Sequence, residues 1–429
     1  LKWAKKVGEP FDEKTYANNT VSKIKLVGNY LYVADDAKHR IMKIDKKDGT
    51  ILKEQKYCDE SYIQGYVSSI GYGDGKVYVG YDNGRVQAFD ENTLESLWIT
   101  DENKNAINSD FVFTNGKLYF GTTAKTTDWY DNGAPFSYYV VTTSDDDKTK
   151  PDEEKTMKKV VESKTGKFYL KKGVVLGKYI VISDTAGTLT MIDTTNDKVT
   201  DTKDIGEAFS GNITYDEMTG TIYFVAGTND LYGIKVSADG KLKDEKKVRL
   251  YETGYSSTTP EVYNGKVYVS GSKGKAFQDK GYMAVADVSS DKYKVNYTVE
   301  LSNYSQCEPT IVKTGENSVR VYFTINDEPG GIYAIEDSKD ATSATLETVY
   351  EPTGDIKNTG CMSDVVVDED GTIYFANDSK YIMSVGKKVE DTKKPVTKTV
   401  KSTRSVKLTW KKKKSAKGYV IYAKAGKGK

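Results

Sequence analysis

Residues 75–98 read GKVYVGYDNGRVQAFDENTLESLW, and this stretch decides the predicted fold. It opens with a glycine turn and a short apolar strand that contains a tyrosine. A second strand, an acidic turn and a third strand ending in Trp98 follow. β-Branched and aromatic residues favour pleated surfaces, and turns rich in Gly, Asn and Asp join antiparallel strands. The stretch therefore predicts an antiparallel β-meander.

The opening motif of this stretch recurs along most of the chain. A turn followed by an apolar, usually Tyr-containing strand begins at Gly28, Gly75, Gly116, Gly177, Gly220, Gly265, Ser318 and Gly371. Most intervals are about 41 to 54 residues and one is about 61, and a period of this size is typical of propellers. Another predicted strand precedes each copy, so each unit has the four antiparallel strands of a propeller blade.

The last unit lacks a fourth strand, because the chain turns basic after residues 381–385. The N-terminal residues 2–7 supply a candidate strand, whose Trp3 is placed as Trp98 is in the second unit. We therefore predict an all-β, eight-bladed propeller that the N-terminal strand closes, which also removes an exposed sheet edge. Seven blades is the alternative if the irregular third unit is not a blade.

The net charge of +1 combines two parts of opposite character. Residues 387–429 carry 15 Lys, one Arg and two acidic residues, which leaves 47 basic and 60 acidic residues in the rest of the chain. We therefore predict a propeller at residues 1–388 and a Lys-rich segment at residues 389–429. The acidic propeller argues against a nucleic-acid partner. The sequence has no run of about 18 apolar residues, so we expect no transmembrane segment in this chain.

Two stretches carry a family resemblance. The closer one is Gly84-Arg-Val-Gln-Ala-Phe-Asp90-Glu-Asn-Thr93, which continues to Trp98; the other starts at Ile41 and passes Asp45 and Gly49. This pattern resembles the PQQ-like, quinoprotein-type propeller repeat over residues 1–388. The resemblance implies the propeller fold, and such folds host unrelated activities.

The resemblance also suggests which branch of the family to expect. Quinoprotein dehydrogenases hold a quinone and a calcium ion, and many have a vicinal disulfide, whereas this sequence has no Cys-Cys pair and is shorter. The non-enzymatic branch, which includes a lipoprotein scaffold of the outer-membrane assembly machine, matches the length better. We therefore expect no enzymatic activity, no catalytic residues and no cofactor.

The C-terminal segment resembles the first three strands of a fibronectin type III domain. The matching stretches are residues 395–400, residues 405–410 with Trp410, and residues 418–422 with Tyr419. Three strands cannot bury both inner faces of a two-sheet sandwich, so we expect a longer multidomain protein. A PQQ-like propeller followed by Lys-rich fibronectin modules resembles a Gram-positive bacterial cell-surface protein. We therefore expect an extracellular, cell-surface or secreted location, and a monomer.

The residue types that usually carry chemistry are sparse. His39 is the only histidine, which excludes a His-based triad or a multi-His metal site. Asp-rich turns lack the full twelve-residue calcium loop, so we predict no metal site. Cys307 and Cys361 occupy similar places before the inner strands of neighbouring blades, and a disulfide between them is a hypothesis. Cys58 is the third cysteine.

Aromatic residues on long loops are the candidate binding elements, because rigid scaffolds present their binding residues on loops. Two long loops join second and third strands at residues 125–136 and 273–281, and blade-to-blade segments add further tyrosines. The candidate ligand-binding residues are Trp129, Tyr130, Phe136, Phe277, Tyr62, Tyr66, Tyr255 and Tyr304. They predict recognition of a glycan, peptide or protein. The alternatives are a structural scaffold or spacer, or a carbohydrate-active or quinone-dependent enzyme.

Overall fold

The computed structural model describes residues 1–8, 21–58, 70–125, 134–275, 279–361, 363–386, 397–401 and 406–410. The chain divides into two compact units, Leu1–Gly386 and Lys387–Lys429. Within the described ranges the first unit is built of strands, with short 3-10 helices at Asp36–Lys38 and Gly354–Ile356. No helix within the described ranges has the length and apolar character needed to span a membrane.

The first unit is a β-propeller of eight antiparallel blades, as predicted. Each blade runs from an innermost to an outermost strand, and neighbouring strands are consecutive in sequence except in blades 3 and 8. Strand β1 is Trp3–Lys6. Blade 1 has β2 (Lys25–Val27), β3 (Tyr30–Asp35), β4 (Arg40–Asp45) and β5 (Ile51–Lys56). Blade 2 has β6 (Gly71–Gly73), β7 (Lys76–Gly80), β8 (Val86–Asp90) and β9 (Ser96–Thr100).

The third unit is a blade, which rules out the seven-bladed alternative. A short strand, β10 (Ala106–Ile107), precedes it and pairs with its second strand. Blade 3 has β11 (Val112–Thr114), β12 (Lys117–Thr123), β13 (Phe136–Thr142) and β15 (Lys158–Ser163). Between the last two, β14 (Glu153–Lys155) leaves the blade and pairs in parallel with β9 of blade 2. The irregular spacing of this unit therefore comes from an insertion that covers the outer edge of its neighbour.

The next three blades follow the regular pattern. Blade 4 has β16 (Val174–Leu176), β17 (Tyr179–Ser183), β18 (Thr188–Asp193) and β19 (Lys198–Asp204). Blade 5 has β20 (Phe209–Asp216), β21 (Thr221–Ala226), β22 (Asp230–Val236) and β23 (Leu242–Arg249). Blade 6 has β24 (Glu261–Tyr263), β25 (Lys266–Ser272), β26 (Gly281–Asp287) and β27 (Lys294–Leu301).

The last blade closes the ring with the N-terminal strand, as predicted. Blade 7 has β28 (Thr310–Lys313), β29 (Ser318–Thr324), β30 (Ile332–Ser338) and β31 (Glu347–Tyr350). Blade 8 has β32 (Val366–Val367), β33 (Ile373–Ala376) and β34 (Tyr381–Val385), with β1 as its outermost strand. Strand β1 pairs antiparallel with β34, with Trp3 opposite Ser384. The indole nitrogen of Trp3 donates to the carbonyl of Lys46 in blade 1 at 3.1 Å.

The second unit contributes one described hairpin, β35 (Thr397–Lys401) and β36 (Val406–Trp410). These two strands coincide with the first two predicted for the fibronectin-like segment. The fibronectin type III assignment itself stays a prediction.

The apolar core lies in the seams between blades. The buried apolar side chains of the first unit form eight clusters, and each joins two neighbouring blades. The cluster between blades 8 and 1 contains Val7, Ile24, Leu31 and Tyr374. Because it holds residues from both ends of the first unit, burial of apolar area favours the closed ring.

The recurring tyrosine of the second strand ties blades together. Its ring is buried in six blades, at Tyr32, Tyr78, Tyr119, Tyr223, Tyr268 and Tyr374. Four of the hydroxyls donate to the next blade at the end of its third strand or just beyond. These bonds join Tyr32 to Glu91 O (2.6 Å), Tyr119 to Asp197 Oδ1 (2.7 Å), Tyr268 to Asp337 Oδ2 (2.7 Å) and Tyr374 to Lys46 O (3.2 Å). A single repeat position therefore supplies both apolar area and a directional bond to each of these seams.

At the seam between blades 6 and 7, several hydrogen bonds converge on one residue, Asp337. Asp337 accepts from Lys266 Nζ at 3.0 Å, from the Tyr268 hydroxyl and from the Tyr297 hydroxyl at 2.5 Å. Asp337 and the Lys266 side chain are almost completely buried. A buried charge is stable only when its hydrogen bonds are satisfied, so each donor matters.

We expect Tyr268→Phe to lower the free energy of unfolding by about 1.5–3 kcal/mol, because it removes a buried hydrogen bond to a charged acceptor. Urea titrations followed by tyrosine and tryptophan fluorescence measure the effect. The control is Tyr322→Phe at the equivalent strand position of blade 7, where the ring is half-buried and the hydroxyl bonds to no other described residue. An equal loss of unfolding free energy in both variants would contradict the role assigned to the Tyr268–Asp337 hydrogen bond.

Candidate functional site

One position of the repeat lines the central channel. In blade 1, Lys25 of the innermost strand pairs with the recurring tyrosine, Tyr32. The channel-lining residue is Lys23, two residues before Lys25, and the same rule gives the position in the other blades. The position is described in every blade except blade 2. In the other seven it holds Lys23, Asp110, Lys172, Asn212, Thr259, Glu308 and Asp364. All seven line the channel, and Glu261 adds a further carboxyl to its wall. We call these eight side chains the channel ring.

Ion pairs cross the channel ring. Lys23 Nζ lies 2.8 Å from Asp364 Oδ2 in the adjacent blade, and Lys172 Nζ lies 2.8 Å from Glu308 Oε1. Lys172 belongs to blade 4 and Glu308 to blade 7, so this second pair spans the channel between blades that do not adjoin. The Glu308 amide donates to Asp364 Oδ1 at 2.8 Å, which joins both pairs into one network.

The network shifts the pKa values of its acids in opposite directions. Burial raises the pKa of Glu261 to about 8, and the carboxylate of Glu308, to which Glu261 is hydrogen-bonded, adds to the shift. Burial also opposes the charge of Glu308, but Lys172 and Lys23 lower its pKa below the usual range. At neutral pH these shifts favour a protonated Glu261, which donates a hydrogen bond to an ionised Glu308.

The channel ring separates two cavities. The first cavity, of about 620 Å³, lies along the innermost strands and is lined partly by Phe111, Phe113 and Ile311. The second cavity, of about 400 Å³, is lined by the segments that lead into the innermost strands, and we call it the mouth cavity. Lys23, Glu308 and Asp364 line both cavities, so the ion-pair network forms the boundary between them.

The mouth cavity lies at the face that carries the blade-to-blade segments and the loops between second and third strands. Tyr255 shows this placement, because its amide and carbonyl pair with Ser272 at the end of β25, where the long blade 6 loop begins. We call this side of the propeller the loop face. The lining of the mouth cavity consists of Tyr169, Leu170, Lys171, Ser210, Gly211, Asn212, Tyr255, Ser257, Thr259 and Gln306, with the shared ring residues below them.

Lys171 braces one wall of this cavity. Its amine donates to the carbonyls of Phe209 at 3.1 Å and Gly211 at 2.6 Å, and both atoms belong to blade 5. Burial lowers the pKa of Lys171 to about 7. The side chain therefore holds blades 4 and 5 together next to the cavity.

Two of the predicted binding residues lie on the loop face within the described ranges. Tyr255 is half-buried and lines the mouth cavity. Tyr304 is also half-buried, and its hydroxyl accepts a hydrogen bond from Asn326 Nδ2. Tyr304 is not among the residues that line the mouth cavity. The structure thus brings Tyr255, but not Tyr304, to the channel.

Phe136 does not lie on the loop where the sequence placed it. Phe136 is the first residue of β13 rather than part of the preceding loop, and it is 1% exposed. Its ring packs in the cluster between blades 3 and 4, together with Phe168 and Tyr138. Burial of this aromatic side chain stabilises the seam.

The remaining aromatic candidates lie outside the described residues. Tyr62 and Tyr66 fall in residues 59–69, Trp129 and Tyr130 in 126–133, and Phe277 in 276–278. Their assignment as binding residues stays a prediction.

Cys307 and Cys361 are free thiols in the structure. Both are completely buried, at the loop-face ends of blades 7 and 8. Cys307 Sγ accepts from the amide of Thr324 at 3.1 Å, and the Cys361 thiol donates to the carbonyl of Ala376 at 3.6 Å. Each sulfur is therefore engaged with its own blade, and the disulfide is not formed in the structure.

Other chemistry-bearing groups are not assembled in the described part of the chain. No group of three or more His, Cys, Asp or Glu side chains there is arranged to hold a metal ion. His39 ends the 3-10 helix Asp36–Lys38 and meets the edge of the Tyr57 ring.

Comparisons with known proteins agree with the fold. No protein-family model matches the sequence, and no curated protein matches it either. Among solved structures, BamB from Moraxella catarrhalis is similar with a TM-score of 0.58 at 12% identity, over 89% of this chain and 99% of that one. The computationally designed protein Ika8 is similar with a TM-score of 0.57 at 8% identity, over 86% and 96% of the two chains.

An enzyme shares the same architecture. The quinohemoprotein alcohol dehydrogenase ADHIIG from Pseudomonas putida HK5 has a TM-score of 0.61 at 11% identity, over 90% of this chain and 75% of that one. At these identities the similarity establishes the propeller fold and no activity.

The shared proton of Glu261 makes stability depend on pH. Because the pKa of Glu261 is raised in the folded state, its contribution to stability is fully present below the unfolded pKa and is lost as the pH rises toward about 8. Glu261→Gln keeps a neutral donor next to Glu308. We expect the free energy of unfolding of the variant, relative to the wild type, to increase between about pH 5 and about pH 9.

Urea titrations at several pH values measure this difference. Glu369→Gln, in an exposed turn, is the matched control and should show no such trend. A difference between Glu261→Gln and the wild type that does not change with pH would show that Glu261 is ionised in the folded protein.

Proposed function

We propose that this propeller is a non-enzymatic binding module that works outside the cell and recognises a glycan, peptide or protein through its loop face. The observation that carries the proposal is the mouth cavity. Its volume of about 400 Å³ falls in the range of small-molecule sites, about 300–1,000 Å³. It combines aromatic rings with hydrogen-bonding side chains on a scaffold whose blades are tied rigidly together.

The state of the channel acids supports binding rather than catalysis. Glu308 and Asp364 are held by lysines at 2.8 Å, and Glu261 is hydrogen-bonded to Glu308. A general acid or base must exchange its proton with a substrate, whereas these groups satisfy one another. The network is therefore suited to hold the channel in one shape and to present a fixed polar surface.

The proposed location rests on the sequence. The Lys-rich segment after the propeller resembles part of a fibronectin type III domain, and this combination suits a Gram-positive cell-surface protein of several domains. The solved structures with this fold include an enzyme, so the fold by itself does not choose between binding and catalysis.

A binding screen tests the proposal. The purified chain is tested against immobilised polysaccharides, mucin, cell-wall polymers and a peptide library, and the bound ligand is then recovered and analysed by mass spectrometry. We expect at least one ligand to bind and to be recovered unchanged. Tyr255→Ala should weaken its binding about tenfold or more, because the variant removes an aromatic contact at the cavity.

The control variant is Tyr215→Ala. Tyr215 is also half-buried but lines a different cavity, with Leu176 and Val236. A triple variant, Trp129→Ala, Tyr130→Ala and Phe277→Ala, tests the predicted loop residues. Chemical conversion of the ligand would show an enzyme. Failure to bind any of these ligands would support the alternative of a structural scaffold.

A further inference from the structure

The lining of the mouth cavity contains neutral polar groups that the protein leaves unused. The side chains of Ser257, Thr259 and Gln306 form no hydrogen bond with another described residue. Asn212 Oδ1 accepts from the amide of Lys172 at 3.1 Å, whereas its Nδ2 has no described partner. Polar groups on a cavity wall are normally satisfied by water or by a ligand, so these groups are available to an occupant.

These groups share one chemical property. Hydroxyl and carboxamide side chains each offer both a donor and an acceptor, and none of the four carries a charge. A sugar hydroxyl also donates and accepts at the same atom, so such a wall can satisfy several neighbouring hydroxyls at once. A charged ligand group would instead need an opposite charge here. Lys23, Asp364, Lys172 and Glu308 are already ion-paired with one another. The Lys171 amine donates to two backbone carbonyls of blade 5.

Two tyrosines complete the lining. Tyr169 and Tyr255 are both half-buried and line the cavity. An aromatic ring offers an apolar face that packs against the C–H groups of a pyranose. Aromatic surface beside neutral donors and acceptors matches the two kinds of surface that a sugar ring presents.

The floor of the cavity limits how a ligand can enter. The Lys172–Glu308 ion pair spans the channel, and the Lys23–Asp364 pair lies beside it. Displacing these partly buried and mutually bonded charges would be costly, so the mouth cavity is closed below. A chain that enters from the loop face must therefore stop at the channel ring and bind by its end.

We propose that the mouth cavity binds the terminal sugar of a neutral glycan end-on, with the ring against Tyr255 and the hydroxyls on Gln306, Ser257, Thr259 and Asn212. This inference rests on the proposed function and names its ligand class. The carboxylates of Glu308 and Asp364 at the floor accept hydrogen bonds from the hydroxyls that reach deepest.

Saturation-transfer NMR with methyl glycosides of glucose, galactose, mannose and N-acetylglucosamine tests the proposal. We expect at least one glycoside to bind the wild-type protein. Tyr255→Ala and Gln306→Ala should each reduce its affinity about tenfold, whereas Tyr215→Ala should not change it. The Gln306 side chain bonds to no other described residue, so this variant should fold, and circular dichroism and the melting temperature verify that each variant does.

A second measurement tests the end-on geometry. Oligosaccharides of increasing length, built from the glycoside that binds, are titrated by calorimetry. We expect one binding event per chain end and a similar affinity at every length beyond the shortest. Several proteins bound along one chain would overturn end-on binding.

The outcomes separate this inference from the proposed function. If no glycoside binds, but a peptide from the screen binds and is lost in Tyr255→Ala, the proposed function stands and the glycan inference is wrong. If a glycoside binds equally well to Tyr255→Ala and Gln306→Ala, its site lies elsewhere and the inference is wrong. If no class of ligand binds, both proposals fall.

Discussion

The structure depends on the seam between neighbouring blades, and on the tyrosine that most blades place there. A four-stranded sheet has two faces to cover, and in a propeller only the adjacent blades can cover them. The buried ring of Tyr268 supplies apolar area to one seam, and its hydroxyl fixes the position of the next blade through Asp337. Because Tyr374 does the same between blades 8 and 1, the closing seam uses the same contact as the others.

Ring closure turns a repeat position into a site. Each blade is related to the next by a rotation, so side chains at one position of the innermost strand converge on the axis. Residues far apart in sequence, such as Lys172 and Glu308, become partners across the channel. Because both belong to rigid blades, their ion pair divides the channel at a fixed depth. The same geometry keeps the mouth cavity open above the pair, since the lining segments are anchored by strand pairing such as that of Tyr255 with Ser272.

Much of the fold could be predicted from the sequence because its signals are local. A glycine turn before an apolar strand marks seven of the eight blades, and Trp3 marks the strand that closes the ring. Phe136 was placed on a loop because the long segment before β13 hides where that strand begins, and sequence alone does not separate an aromatic residue at a loop end from one in a strand. A second insertion, between β13 and β15, concealed β14, whose partner in blade 2 lies far away in sequence.

The channel ring was missed although the sequence contains a signal for it. Lys23, Asp110 and Lys172 each lie nine residues before the recurring tyrosine position, which is filled by Tyr32, Tyr119 and Val181. Aligning the repeats on that position would have shown polar residues in blade after blade where an inner strand begins.

The sequence does not show which side chains of the channel contact one another. The shared proton of Glu261 and Glu308 depends on the distance between two blades, and so does the brace that Lys171 forms with blade 5. These contacts arise from the rotation between blades, and this rotation is set by the packing in the seams. The solved structures share this fold at 8–12% identity, so the architecture tolerates wide differences in sequence. Proteins with one fold carry out unrelated activities, because function depends on the residues of a site and not on the architecture that holds them.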